Sequence, residues 1–112
     1  MRAGRGELHL FIAQRVSAML LAPLVIVHLV TLILAVRGGL SAQEILARTE
    51  GSLWWMLFYG LFVVAAAVHA PIGMRTILRE MTGWRGRSLD LAALLFGLLL
   101  LALGFRAVGA VT

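Results

Sequence analysis

The fold is decided by residues 16–36, VSAMLLAPLVIVHLVTLILAV, an apolar run with Arg15 before it and Arg37 after it. An α-helix rises about 1.5 Å per residue, so a run of this length crosses the hydrocarbon core of a bilayer, which is about 30 Å thick. Strands with open edges could not satisfy their backbone groups in lipid. The run is therefore predicted to be a membrane-spanning helix.

Two further runs have the same character. Residues 53–74 are apolar up to Arg75, and residues 91–111 are apolar except for Arg106. The chain is therefore predicted to be an all-α, antiparallel membrane bundle of three transmembrane helices. The prediction gives a single domain over residues 1–112, with helices at about 10–36, 52–80 and 89–110.

Composition agrees with residence in a membrane. Of the 112 residues, 62% are hydrophobic and 13% are charged, and the mean hydropathy is +0.99, which is outside the range of soluble domains. The net charge of +5 comes from arginines that flank the apolar runs, which indicates topology signals and no nucleic-acid partner. The chain has no cysteine, so any iron–sulfur cluster must belong to a partner.

Arginine positions predict the orientation. The first loop holds two arginines, balanced by Glu44 and Glu50. By the positive-inside rule the N-terminus and the second loop face the cytoplasm, which suits an integral protein of a bacterial inner membrane. The arginines on that side are Arg2, Arg5, Arg15, Arg75, Arg79, Arg85 and Arg87.

Helix ends are marked by familiar signals. Gly38 and Gly39 are expected past the end of helix I, and residues 41–50 are expected to form a short interfacial helix. Ser52 is the predicted N-cap of helix II, and Ser88 with Asp90 suits the start of helix III.

Two histidines, His28 and His69, lie inside the spans, where an ionisable side chain indicates function because it is costly to place there. Counting from the span edges puts His28 about 18 Å deep and His69 about 8 Å deep. One iron could not be held by both, so each would need a second ligand from another chain. Gln14, Ser17, His28 and Thr31 form one polar face of helix I, which is expected to point inward.

The residues expected beside His69 have small side chains. Ala65, Ala66 and Gly73 project from the same side of helix II as His69, which leaves a shallow surface on which a flat macrocycle could lie. Pro71 removes one backbone hydrogen bond and is expected to kink the helix.

Simpler interpretations stay open. An intramembrane histidine is often an interhelical hydrogen-bonding group, and small residues often serve close packing. His9 lies before the first span and suits a surface position, and Arg106 suits a snorkelling side chain.

Two segments resemble succinate dehydrogenase and fumarate reductase cytochrome b subunits. FIAQRVS at residues 11–17, followed by Pro23 and His28, resembles the first helix of that family. HAPIGMR at residues 69–75, followed by Glu80, resembles its second-helix motif. Together with the three-helix layout, the resemblance covers nearly the whole chain.

The resemblance implies site residues. His69 corresponds to an axial ligand of haem b, with Gly73 and Arg75 in the same motif, and Arg75 could pair with a haem propionate. A histidine at the place of His28 is similar to the branch with two haems. Arg15 matches a position near the quinone site, and Ser17 is a substitute for the serine that accompanies it in relatives, because Phe11 stands at that serine's place.

The resemblance implies a membrane anchor that is not itself an enzyme. It would bind one or two haem b groups, through His69 and His28, and relay electrons to the quinone pool from iron–sulfur and flavoprotein subunits. The remaining axial ligands would come from a second anchor subunit or another copy of the chain. Two rivals stay open, a haem-free structural or assembly subunit and a small transporter subunit.

Overall fold

The computed structural model describes residues 2–112 and consists of three long helices and one short helix. The long helices are α1 (Arg2–Arg37), α3 (Leu53–Thr82) and α4 (Arg87–Val111), and the short helix is α2 (Ala42–Thr49). The three long helices are each long and apolar enough to cross a membrane. The prediction of an all-α bundle with three membrane-spanning helices is confirmed.

Local sequence signals explain most helix ends. α1 stops where Gly39 adopts a φ of +68°, a conformation that glycine enters without steric cost. Ser41 and Glu44 form a reciprocal capping box at the start of α2. Ser52 caps α3 as predicted, because its hydroxyl accepts a hydrogen bond of 3.3 Å from the backbone N–H of Trp55.

The predicted start of α1 is wrong, and the predicted start of α4 is two residues late. α1 begins at Arg2 and not near residue 10, and the added turns carry Glu7, which forms ion pairs with α3. α4 begins at Arg87, with Gly86 at the N-cap and no side-chain cap. Ser88 instead accepts a hydrogen bond of 2.7 Å from the indole Nε1 of Trp84, which holds the turn between α3 and α4.

The central helix is α3, which packs against both α1 and α4. Glycines on α4 allow the close approach. A Cβ atom at Gly97 would lie 3.2 Å from the carbonyl oxygen of Ala67, and one at Gly104 would meet the side chain of Val63. Packing of this kind replaces the hydrophobic effect, which is absent between helices in lipid.

The two ends of the bundle differ. At the end that we call the Arg75 end, Arg75 of α3 meets Glu7 of α1 and Asp90 of α4. At the opposite end, which we call the Thr49 end, the Thr49 hydroxyl donates to the carbonyl of Val111 at the end of α4. The short helix α2 is thereby tied across the Thr49 end.

Candidate functional site

The polar face of α1 points at α3, as the helical projection predicted. Ser17 is 4% exposed and lies beside His69. His28 contacts Tyr59, and Gln14 reaches the backbone at Gly73. Because α1 and α3 run antiparallel, a residue later in α1 lies opposite a residue earlier in α3.

The His69 ring faces Ser17. The Ser17 hydroxyl donates a hydrogen bond of 3.0 Å to the backbone carbonyl of Gln14. It also makes a long contact of 3.5 Å with Nδ1 of His69. Nδ1 is therefore the ring nitrogen that contacts α1, and Nε2 has no hydrogen-bond partner among residues 4–112.

His28 has a different neighbour. Its Nδ1 lies 3.3 Å from the hydroxyl of Tyr59. The rings of Tyr59 and Phe62 meet the imidazole edge to face, with centroid distances of 5.7 and 5.6 Å. Among residues 4–112, this contact is the only hydrogen bond of the Tyr59 hydroxyl.

Tyr59 was missed by sequence reasoning, although a signal was present. It is the only tyrosine in the chain. His28 follows Ser17 by eleven residues and Tyr59 precedes His69 by ten, so an antiparallel pairing of Ser17 with His69 brings His28 opposite Tyr59. The pairing itself could not be obtained from span edges.

The two histidines are farther apart than the depth count suggested. His69 is level with Ser17, and His28 lies eleven residues further along α1, a rise of about 16 Å. The count gave about 10 Å because it placed the two span edges, Val16 and Met74, at the same depth. The conclusion that one iron cannot be shared by both histidines is unchanged.

The small-residue surface beside His69 is not open within this chain. Ala65 is 3% exposed, and a Cβ atom at Gly73 would lie 3.4 Å from Nε2 of Gln14. Within this chain α1 covers the surface at Gly73, and the binding of a macrocycle beside His69 stays a prediction. The side-chain oxygen of Gln14 is buried there without a partner among residues 2–112.

Arg75 joins all three long helices. Its Nε donates to Asp90 of α4 at 2.8 Å, and its Nη2 donates to Glu7 of α1 at 3.3 Å. Arg79 also donates to Glu7, at 3.1 Å. Arg75 was predicted to pair with a haem propionate, and no role was predicted for Glu7. In the structure the Arg75 guanidinium is bonded to two carboxylates of its own chain.

Arg15 lies apart from the histidines. It is exposed, and its guanidinium carbon sits 5.7 Å from the ring centroid of Phe11 on the same helix. Of the predicted site residues, the structure therefore brings His69, Ser17 and Gly73 together, and it leaves His28, Arg75 and Arg15 at three other places.

The potential ligands in this chain suit a metal cofactor in which most of the metal's ligands belong to the cofactor itself. Within the described range 2–112, no group of three or more His, Cys, Asp or Glu side chains could hold a bare metal ion. A lone imidazole with a free Nε2 suits a haem iron, because the porphyrin supplies the four equatorial nitrogens and the protein adds only an axial ligand. His28 and His69 are the two intramembrane imidazoles that could provide such a ligand.

Comparison with known proteins gives one positive finding. Residues 4–110 match the family described as succinate dehydrogenase/fumarate reductase transmembrane subunit. No curated protein and no solved structure matches the chain. The matched range contains nearly all of the three membrane-spanning helices and both intramembrane histidines. The chain therefore belongs to the family of succinate dehydrogenase/fumarate reductase transmembrane subunits.

Proposed function

We propose that this membrane subunit binds haem b through Nε2 of His69 and relays electrons between an iron–sulfur subunit and the quinone pool. The observation that supports the proposal is the position of the His69 ring, whose Nδ1 lies 3.5 Å from the Ser17 hydroxyl while Nε2 has no hydrogen-bond partner among residues 4–112. Ligating histidines are usually held in this way through the ring nitrogen that does not bind the metal.

Haem supplies one-electron chemistry when bound. The chain supplies the axial imidazole of His69, the orientation set by Ser17, and a water-poor position in the interface between α1 and α3. The second axial ligand comes from a second anchor subunit or another copy of this chain. Oxidation of succinate or reduction of fumarate takes place in the flavoprotein partner, so this subunit is not the catalyst.

A second haem at His28 stays a prediction, and it requires a particular position of the ring proton. Iron binding by Nε2 would require the ring proton on Nδ1, with the Tyr59 oxygen accepting it. The phenol proton would then need another acceptor, and residues 2–112 offer none. One haem, at His69, is the arrangement that these contacts favour.

The quinone contact is assigned to Arg15. Its guanidinium is exposed and makes no ion pair within residues 2–112, so its N–H groups are available to a carbonyl oxygen. Ser17 is a poorer candidate for that contact, because its proton is already donated and its side chain is buried.

A haem-free structural subunit is the second candidate. It is favoured by the same interface, since each histidine has a hydroxyl partner on the facing helix and Gln14 packs over Gly73. Interhelical hydrogen bonds of this kind stabilise membrane bundles without any cofactor.

Haem content decides between these candidates. The chain is expressed with its partner subunits, and haem per chain and the reduced-minus-oxidised spectrum are measured for the wild type, His69→Ala, His28→Ala and His9→Ala. We expect loss of a b-type signal only in His69→Ala. His9 is an exposed histidine outside the apolar core and serves as the matched control. Absence of a b-type signal in the folded wild-type complex would establish the structural role instead.

A further inference from the structure

A groove opens between α1, α3 and α4 at the Arg75 end, and neither His28 nor His69 lines it. Its volume is about 690 Å³. Its walls are apolar side chains from all three helices, with Ala67, Pro71 and Gly97 at the close contact between α3 and α4 and Glu7, Arg75 and Asp90 at the mouth. In a bilayer such a groove is filled by an acyl chain or by another protein.

The depth of the groove matches one leaflet. Along α4 its lining extends from Asp90 to Leu101, a rise of about 16 Å. Half of a hydrocarbon core about 30 Å thick is about 15 Å. An acyl chain ends near the midplane of the bilayer, whereas a transmembrane helix would continue through both leaflets. The depth therefore favours a lipid.

The mouth of the groove selects among headgroups. Arg75 and Arg79 face Glu7 and Asp90, so the four formal charges cancel. The ion pairs use Oε1 of Glu7 and Oδ1 of Asp90. Among residues 4–112, the second oxygen of each carboxylate has no partner, and the two side chains are 48% and 58% exposed.

These free oxygens are acceptors for an ammonium group. A primary ammonium has three N–H donors, whereas a quaternary ammonium has none and a glycerol headgroup carries no positive charge. The nearby Arg79 side chain is partly exposed and can donate to a phosphate. The mouth is therefore complementary to a headgroup that carries both a phosphate and a primary ammonium.

We propose that this groove binds a zwitterionic phospholipid with a primary ammonium headgroup, of the phosphatidylethanolamine class. One acyl chain lies along α4, and the ammonium group binds Glu7 and Asp90. The inference rests on the placement of the chain in a membrane and is independent of haem binding by His69.

Retained lipid can be counted directly. The intact complex is reconstituted in nanodiscs of equal parts dioleoyl phosphatidylethanolamine, phosphatidylcholine and phosphatidylglycerol, and native mass spectrometry identifies the lipid that stays bound. We expect phosphatidylethanolamine to exceed either competitor about tenfold, because hydrogen bonds to a charged group discriminate by roughly this factor. Equal retention of the three lipids, or preference for phosphatidylglycerol, would overturn the proposal.

Two kinds of variant locate the site. Glu7→Gln with Asp90→Asn removes the carboxylates and should abolish the preference, whereas Glu50→Gln, an exposed carboxylate at the Thr49 end, should keep it. Leu98→Trp fills the groove and should displace the lipid, whereas Leu103→Trp, equally exposed on α4 but outside the lining, should not. An unchanged amount of bound phosphatidylethanolamine in Leu98→Trp would contradict the proposal. A structure of the complex with a partner helix in the groove, together with no retained lipid, would also contradict it.

Discussion

The hydroxyl of Ser17 on α1 and Nδ1 of His69 on α3 lie 3.5 Å apart, and the hydroxyl gives its proton to the carbonyl of Gln14. The Ser17 hydroxyl thereby links the backbone of α1 to Nδ1 of a histidine on α3. In the proposal of haem binding through Nε2, Ser17 is a positioning residue.

Ser17→Ala should leave haem bound and raise its reduction potential. Loss of the acceptor makes the imidazole a weaker electron donor to iron, which disfavours the ferric state. A change of about 0.5–1 kcal/mol corresponds to a rise on the order of 20–40 mV. A spectroelectrochemical titration measures it. Thr31→Ala is the matched control, because Thr31 makes the same type of bond to its own helix beside His28, and an unshifted potential in Ser17→Ala would contradict the assignment.

Tyr59→Phe should weaken the bundle and leave haem content unchanged. The substitution removes only the hydroxyl that contacts His28 and keeps the ring contacts. Interhelical hydrogen bonds in membranes contribute about 0.6 kcal/mol on average, so a loss of that order is expected in unfolding by denaturing detergent. A lower haem count in this variant would instead favour iron binding by His28.

Gly104→Ala should destabilise the contact between α3 and α4 by about 1–3 kcal/mol, the usual cost of overpacking. The new methyl group would meet the side chain of Val63. Adding Val63→Ala should restore much of the loss, and a double-mutant cycle of unfolding free energies measures the coupling. Gly109→Ala is the control, because no atom lies within 4 Å of a Cβ atom built there. Equal effects at the two glycines would argue against the packing described.

Arg75→Gln should lower the melting temperature, and the loss should shrink at high salt. The substitution breaks ion pairs to Glu7 and Asp90, whose side chains are about half exposed. Each exposed pair contributes about 0–1 kcal/mol, and salt screens that contribution. Thermal unfolding at low and high ionic strength measures the effect, with Arg85→Gln as the control at the same end. A loss insensitive to salt would point to packing of the arginine stem.

Much of the fold could be predicted because a lipid environment restricts the backbone to few structures. Three apolar runs of sufficient length leave helices as the solution, and Ser52 and Gly39 mark ends by local chemistry alone. The start of α1 was predicted wrongly because Glu7 is held by arginines from α3, a contact between distant parts of the sequence.

The candidate site could be predicted only in part for the same reason. The polar face of α1 follows from helical periodicity, so its inward orientation was within reach. Which residue of α3 meets Ser17 depends on the relative shift of the two helices, and a shift of a few residues changes every partner. Tyr59 and the covering of Gly73 by Gln14 depend on that shift.

The bonds from Thr49 to Val111 and from Gly51 to Thr112 also constrain biosynthesis. Both acceptors belong to the last residues of the described chain, so the loop between the first two spans cannot reach its final position until translation of the third has finished. We expect the hairpin of α1 and α3 to insert first with this loop still open, and the loop to close only after α4 has been inserted.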